Sequence, residues 1–409
     1  MKIEKKLWIT LFAFGMFAIC FSGWIFSQST VREKLFWDNT IKCETKELTD
    51  GEIKSENIAL PKDFNVPKSI LFKTTHTIAE VWLDGEKIYE YGNEEDAPSF
   101  MKSPGSCWHI VDIPEGSAGK SLEVRIIPVY DNYYGNEVSI AYGTRGDCIL
   151  KILTDSFKTL LLSCGILFAS IICLVLYLGA VRRKRRDKTE VKIEIFLNLG
   201  FFSLLIAVWT LAQCGFRQFL IPDGRTLYFV EYFSFFLFPV PFNFLLYDIC
   251  KSRYHKGALI FPTLYLVNMA GDVLLQCTGI IDIFRMLPVT HVIMVANAVY
   301  IGVLILYEAR KEGNDEAKKF QYPMCALIVF GMAEMFLYYL RKFQQTSILL
   351  PIGTLLFIIM LIWIQVSQYY DQYIQKQKVI YLQKIANMDM LTEAMNRNAY
   401  EDMVKYLEE

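Results

Sequence analysis

"FKTLLLSCGILFASIICLVLYLGAVRRKRRDK", residues 157–188, decides the fold. After Lys158 the stretch 157–181 contains no Asp, Glu, Lys or Arg, and then six Lys or Arg side chains follow within 182–188. A helix needs about 20 apolar residues to cross the roughly 30 Å hydrocarbon core of a bilayer. The run is long enough, and the cations after it mark the end that stays inside.

Further runs fall near 193–214, 227–249, 257–277, 286–307, 321–340 and 347–367, making seven. An earlier run, 7–26, follows Lys2, Lys5 and Lys6. Residues 1–27 therefore read as an N-terminal transmembrane anchor, with a cleaved signal peptide as the alternative. Composition agrees with a membrane protein: 53% of residues are hydrophobic, 15% aromatic and only 21% charged, against about 25% charged in soluble chains. Mean hydropathy is +0.28.

Charge fixes the expected topology. With the N-terminus inside, the inner flanks 1–6, 182–188, 251–256 and 310–319 carry sixteen Lys or Arg residues. The outer loops between the seven helices carry five: Arg217, Arg225, Arg285, Arg341 and Lys342. This asymmetry places 28–156 outside the cell and the C-terminus in the cytoplasm. Residues 157–367 are then a seven-transmembrane helical bundle, with 368–388 as a cytoplasmic helix. The outer segment holds 22 acidic against 14 basic residues between Gln28 and Asp155, which argues against nucleic acid as a partner.

The pattern of 28–156 is that of a β-sandwich. "SILFKTT" (69–75), "AEVWLDGEKIYEYG" (79–92), "CWHIVDIP" (107–114), "SLEVRIIPVY" (121–130) and "EVSIAYG" (137–143) are short runs rich in β-branched and aromatic residues. Asp84-Gly85 predicts a type I′ hairpin, because glycine accepts positive φ. Trp82, Tyr89, Tyr91, Trp108 and His109 are candidate stacking faces for a ligand, and core packing is the competing role for each. "GSAGKS" (116–121) lacks the first glycine of a phosphate loop.

Of ten cysteines, seven lie in apolar runs as small buried side chains. Cys43, Cys107 and Cys148 could supply one disulfide in an outer domain, without a choice of pair. No Cys-x-x-Cys occurs, so no metal site is expected. Within the helices the ionisable exceptions are Asp272, His291 and Glu334, with Glu231 nearer an end. Such residues face a bundle interior or a cavity, as coupling groups or as polar contacts between helices. A retinal-type lysine is absent from 347–367, and no internal repeat of a transporter is evident.

Beyond the last run, Tyr370, Ile374, Gln377 and Tyr381 follow a 4-3-4 spacing, a short coiled-coil seam that suggests a homodimer. An ordinary amphipathic juxtamembrane helix is the other reading. The tail reads "NMDMLTEAMNRNAY" (387–400), where Asp389 and Thr392 can brace a turn before a new helix.

Two resemblances follow from these residues. "VWLDGEKIYEYG" and "HIVDIPEGSAGKSLEVRIIP" resemble jelly-roll domains of the galactose-binding type, which implies a small extracytoplasmic ligand, often a carbohydrate. Asp389, Leu391, Thr392, Asn396, Arg397 and Tyr400 resemble the entry to GGDEF (diguanylate cyclase) domains. Glu393 stands where that pattern has glycine, and Asn398 where it has a second arginine.

The whole arrangement is similar to the bacterial seven-transmembrane receptors with diverse intracellular signalling modules. That implies cyclic di-GMP signalling, with Mg and GTP bound by the cyclase domain. The chain has no two consecutive glycines, so residues 389–409 are expected to be only the start of such a domain, without catalytic residues or cofactors of their own. A truncated receptor regulating full-length copies is a further reading. The competing class is a transporter or adhesion module without signalling output. A histidine kinase is disfavoured because the last histidine is His291.

Overall fold

The computed structural model describes residues 40–43, 45–47, 53–55, 58–93, 98–130, 138–187, 194–340 and 347–387, with Asn396 and Tyr400. The expected anchor 1–27, and Asp389, Leu391, Thr392 and Arg397 of the tail, lie outside the described residues.

Two antiparallel sheets form the N-terminal unit. One has the order β1 (Thr40–Cys43), β10 (Val138–Gly143), β5 (Lys68–Thr75), β8 (Ser106–Ile113). The other runs β2 (Thr45–Glu47), β3 (Ile53–Ser55), β9 (Ser121–Pro128), β6 (Thr77–Leu83), β7 (Glu86–Tyr91), with β4 (Ile58–Ala59) also on β9. The β6–β7 turn has positive φ at both Asp84 (49°) and Gly85 (86°), the geometry expected from the Asp-Gly pair.

The sheets share one core. Ile70, Phe72, Val111 and Ile113 from the first meet Val81, Leu122, Val124 and Ile126 from the second, all buried. Each such side chain contributes about 1.5–3 kcal/mol by leaving water. β6 and β9 alternate buried and half-buried positions as strands with one covered face should. β5 is buried almost throughout, because both of its faces are covered. Its second face, with Leu71, packs with Ala141 and Trp108 on Cys148 and Ile152 of the first helix.

Among the described residues seven helical spans follow, each long and apolar enough to cross a membrane, so the chain is a multi-pass membrane protein. The helices are α1 (Arg145–Asp187), α2 (Glu194–Ala212), α3 (Gly224–Leu237), α4 (Pro239–Ile249), α5 (Ile260–Cys277), α6 (Ile283–Arg310), α7 (Asp315–Leu340) and α8 (Leu349–Asn387). α3 and α4 share one span, broken at Phe238 because Pro239 and Pro241 supply no backbone N–H. α1 begins two residues after β10. Thr144 and Asp147 close that junction reciprocally: the Asp147 carboxylate accepts from the Thr144 N–H at 2.9 Å, and the Thr144 hydroxyl accepts from the Asp147 N–H at 3.2 Å.

Inside the bundle, Phe202, Ile206, Leu245, Leu246, Phe357 and Leu361 form the core. The Ser163 and Ser170 hydroxyls of α1 donate across to the Ala207 and Gly200 carbonyls of α2 at 2.9 and 2.8 Å, as small polar residues do between membrane helices. Phe168, Val175, Val267, Val292, Val303 and Val329 point outward and are exposed, as side chains facing lipid would be.

The β unit docks on one end of the bundle. β8 is an edge strand, and its free backbone is covered by the 3-10 turn Gly215–Phe219 between α2 and α3. The Trp108 N–H donates to Gln218 Oε1 at 3.0 Å, and Arg217 Nη2 donates to the Ser106 carbonyl at 3.0 Å. Nearby the Tyr130 hydroxyl donates to Asp282 at 2.8 Å, and Gln276 donates to the same carboxylate at 3.0 Å. Gly105 (φ +84°) lies against the backbone of Gly224, where a Cβ would run into the Gly224 carbonyl.

Candidate functional site

Beneath the docked sheet is a cavity of about 230 Å³, roofed by the β unit and walled by the bundle. The roof comes from β5, the turn after it and the start of β8: Lys73, Thr75, His76 and Ser106. Strand alternation explains why Lys73 is there. It projects from the same face as Leu71, which the bundle covers, rather than from the Ile70 and Phe72 face inside the sandwich.

The polar wall is Gln213, Arg217, Glu231, Glu334 and Ser347. Gln213 links two of these, accepting from the Ser347 N–H at 2.9 Å and sharing a side-chain hydrogen bond with Glu231. Deeper, Trp209, Phe235, Phe238 and Phe242 make an aromatic lining that ends near Tyr265 and Asn297. Asn297 sits about 20 Å along α6 from its start, at 1.5 Å per residue. The cavity therefore reaches from the docking surface toward the middle of the bundle.

Two features of this site are unusual for a protein interior. The guanidinium of Arg217 is buried, yet among the described residues its Nη1 has no hydrogen-bond partner. Among the described residues no carboxylate lies within ion-pair distance of Lys73 or Arg217. Burial, followed by the neighbouring Arg217 charge, lowers the Lys73 pKa. The same two causes hold His76 neutral, with a pKa near 3. His76 sits in the left-handed region (φ 52°), bonded to Ser103 at 2.7 Å and ringed by Tyr130, Tyr228 and Phe284.

The residues singled out from the sequence fall in four places. Tyr89, Tyr91 and His109 come together inside the sandwich. His109 is bonded to the Tyr89 hydroxyl at 3.0 Å and to Thr74 at 2.6 Å, and Tyr91 donates to the Pro104 carbonyl at 2.7 Å. Burial pushes the Tyr89 pKa up to about 12 and the His109 pKa down to about 3. Trp82 lies on β6 with Arg125 4.5 Å and Lys87 5.7 Å from its ring, and Trp108 packs toward the bundle. The five aromatics thus do not converge on one face.

Of the polar residues in the helices, His291 and Glu334 line the cavity and Asp272 does not. Asp272 accepts from Asn268 at 2.8 Å, and Asn268 also donates to Thr290 at 2.9 Å. His291 is bonded to the Tyr339 hydroxyl at 2.7 Å. One Glu334 oxygen accepts from the N–H groups of Ile348, Leu349 and Leu350 at 3.1, 2.5 and 3.2 Å, so it caps α8 from the neighbouring helix.

On the far part of α8, Tyr370 is half-buried, while Ile374, Gln377 and Tyr381 are exposed on one face of an unbroken helix. Of the tail beyond it, the Tyr400 N–H donates to the Asn396 carbonyl at 3.1 Å. Cys107 and Cys148 carry free thiols, and the Cys43 side chain lies outside the described residues. No group of metal-ligating side chains occurs among the described residues.

Reading the sequence did not single out Lys73 or Arg217. Lys73 looks like the solvent-facing position of a strand, and Arg217 like an ordinary loop cation. Comparison of the chain with models of protein families, with curated proteins and with solved structures found no match.

Proposed function

We propose that the chain is the sensory and membrane-spanning part of a bacterial receptor. A small ligand held between the outer β domain and the bundle would change the setting of α8. That helix would pass the change to a diguanylate cyclase domain, whose entry residues 389–400 resemble. The observation that carries this reading is the place of α8. Its first turn, through Leu350, and Ser347 just before it line the cavity, and from there the helix runs without a break to Asn387. A ligand would touch the input and output elements at once.

Three further points support the reading. The strand orders β1-β10-β5-β8 and β3-β9-β6-β7 are compatible with the jelly roll that the resemblance implies, which supports a ligand-binding β domain. The Lys/Arg asymmetry of the sequence supports an orientation with the β domain outside and the end of α8 in the cytoplasm. The exposed residues Ile374, Gln377 and Tyr381 give α8 a face on which a second copy could pack, so the working unit is a homodimer. Cyclic di-GMP synthesis, with its Mg and GTP, would belong to the cyclase domain alone.

Leu245, Leu246, Ile249, Leu304 and Phe320 are buried in the bundle core and do not line the cavity, which supports a sensory site over a transport path.

The test joins residues 1–388 to a diguanylate cyclase domain of known activity. Substitutions at the start of α8 and in the cavity wall, such as Glu334→Gln, should change the cyclic di-GMP rate in membranes. A rate indifferent to every such substitution would refute the proposal.

A further inference from the structure

Resting on the reading of this cavity as the sensory site, we infer that its ligand is a compact amphiphilic carboxylate. The anionic head would sit between Lys73 and Arg217, and an apolar, ring-sized body would lie in the aromatic lining below.

The argument is a balance of donors and acceptors. Buried polar groups are nearly always paired, and a buried charge without a partner is costly. At the upper end the donors are in surplus. Arg217 spends Nη2 on the Ser106 carbonyl and leaves Nη1 buried and unpaired. Among the described residues Lys73 makes no hydrogen bond or ion pair, and the Trp108 ring lies 6.0 Å from its ammonium.

The two carboxylates of the wall are already committed. Glu334 takes three backbone N–H groups of α8, and Glu231 accepts from Gln213 while its charge acts on Arg217 and Lys73 from beyond hydrogen-bond distance. What the upper end lacks, among the described residues, is an acceptor within hydrogen-bond distance of both the Lys73 ammonium and Arg217 Nη1. A planar carboxylate suits a guanidinium and an ammonium converging on one point.

The lower end sets the body. Trp209, Phe235, Phe238 and Phe242 favour apolar or aromatic bulk. At the bottom Asn297 Oδ1 is buried without a partner, so a body bearing an N–H at its far end would satisfy it. A simple inorganic anion would leave both the lining and Asn297 unfilled.

The test uses the full chain in nanodiscs of zwitterionic lipid. The probes are tritiated indole-3-propionate, its neutral amide and tryptamine, with decanoate run beside them. The acid should bind saturably, one per chain, and at least tenfold tighter than the amide or the amine. Lys73→Gln should weaken the acid at least tenfold and leave the amide unchanged, which shows that the cavity is intact in the variant. Lys73→Arg should retain acid binding.

If indole-3-propionate binds tighter than decanoate, the body is aromatic; the reverse order means a chain derived from lipid. Equal binding of acid and amide, preference for the amine, or loss of acid and amide together in Lys73→Gln would overturn the inference. So would the absence of saturable binding by either acid. None of these results bears on the cyclase chimera, whose response to Glu334→Gln judges the receptor reading separately.

Discussion

Acidification should destabilise the β unit in a way that two histidines dictate. His109 is enclosed by Phe72 and Thr74 of β5 and by Tyr89 and Tyr91 of β7, and burial alone, with no charge among the described residues, sets its shift. His76 is enclosed by Ser103, Tyr130, Tyr228 and Phe284, with the Arg217 charge nearby. Burial holds both neutral, with pKa values near 3, against about 6.5 in an unfolded chain. The folded pKa is depressed, so the unfolded state binds the proton first. Stability is fully present above about pH 6.5 and is lost as pH falls from there toward 3. At pH 5 the linkage relation gives a loss of about 2 kcal/mol per histidine relative to pH 7, or about 4 kcal/mol for both. For a cooperative unit of this size that lowers Tm by on the order of 10 °C. Ordinary carboxylates titrate below this window. The assay is thermal unfolding of the full chain in nanodiscs at pH 7 and pH 5, read by tryptophan fluorescence. His109→Gln and His76→Asn should each flatten the pH dependence by about half, and Asn tolerates the left-handed backbone at 76. A pH slope unchanged in both variants would refute the reasoning, because the other two histidines remain in each.

Three shorter predictions concern the docking surface and α8. Glu334→Gln keeps one acceptor but removes the charge from the α8 N-terminus, costing about 1–2 kcal/mol. Faster hydrogen exchange at 348–352 is the readout, and unchanged exchange would exclude the cap. Gly105→Ala forces a Cβ into the Gly224 carbonyl at a positive φ and should cost about 3 kcal/mol. Protease cleavage between the β unit and α1 should then become faster than in wild type. Gln377→Leu, on the α8 seam, should tighten the proposed dimer at least fivefold by removing a polar group from the contact, measured by subunit exchange between nanodiscs.

The elements were legible because their signals are local. The β-branched run "SLEVRIIPVY" and the Asp-Gly pair at 84–85 predict a strand and a hairpin, and β9 and the β6–β7 turn are there. The seven apolar runs predict seven spans, although α1 starts at Arg145 rather than near 157. That early start has a sequence signal, the Thr144-x-x-Asp147 box, which is easily missed beside a long apolar run. The cavity was not legible. Which face of β5 is covered depends on where the bundle docks, so Lys73 reads as a surface lysine until that contact is known. Glu334 is conspicuous as a charge in an apolar helix, but its partners are backbone N–H groups of another helix, and sequence spacing does not report them.

The junction combines rigidity with a cavity, and that pairing bounds the size of any signal. β10 passes into α1 through the Thr144–Asp147 cap, and β8 is fixed by Gln218 and Arg217. The Tyr130–Asp282–Gln276 bonds fix a third point. Ties of this kind favour movement of packed units between discrete arrangements over gradual bending. A ligand can shift such an equilibrium only by its difference in affinity for the two arrangements. Moving a population from 1:99 to 99:1 takes about 5.5 kcal/mol, whereas hydrogen bonds to a charged group contribute about 1.5–3 kcal/mol each. One carboxylate meeting both Lys73 and Arg217 in one arrangement, and only Arg217 in the other, would therefore change an output ten- to hundredfold at most. On the proposed reading the receptor is a graded sensor rather than an all-or-none switch, with its gain set by how far Lys73 on the β unit moves relative to Arg217 on the bundle.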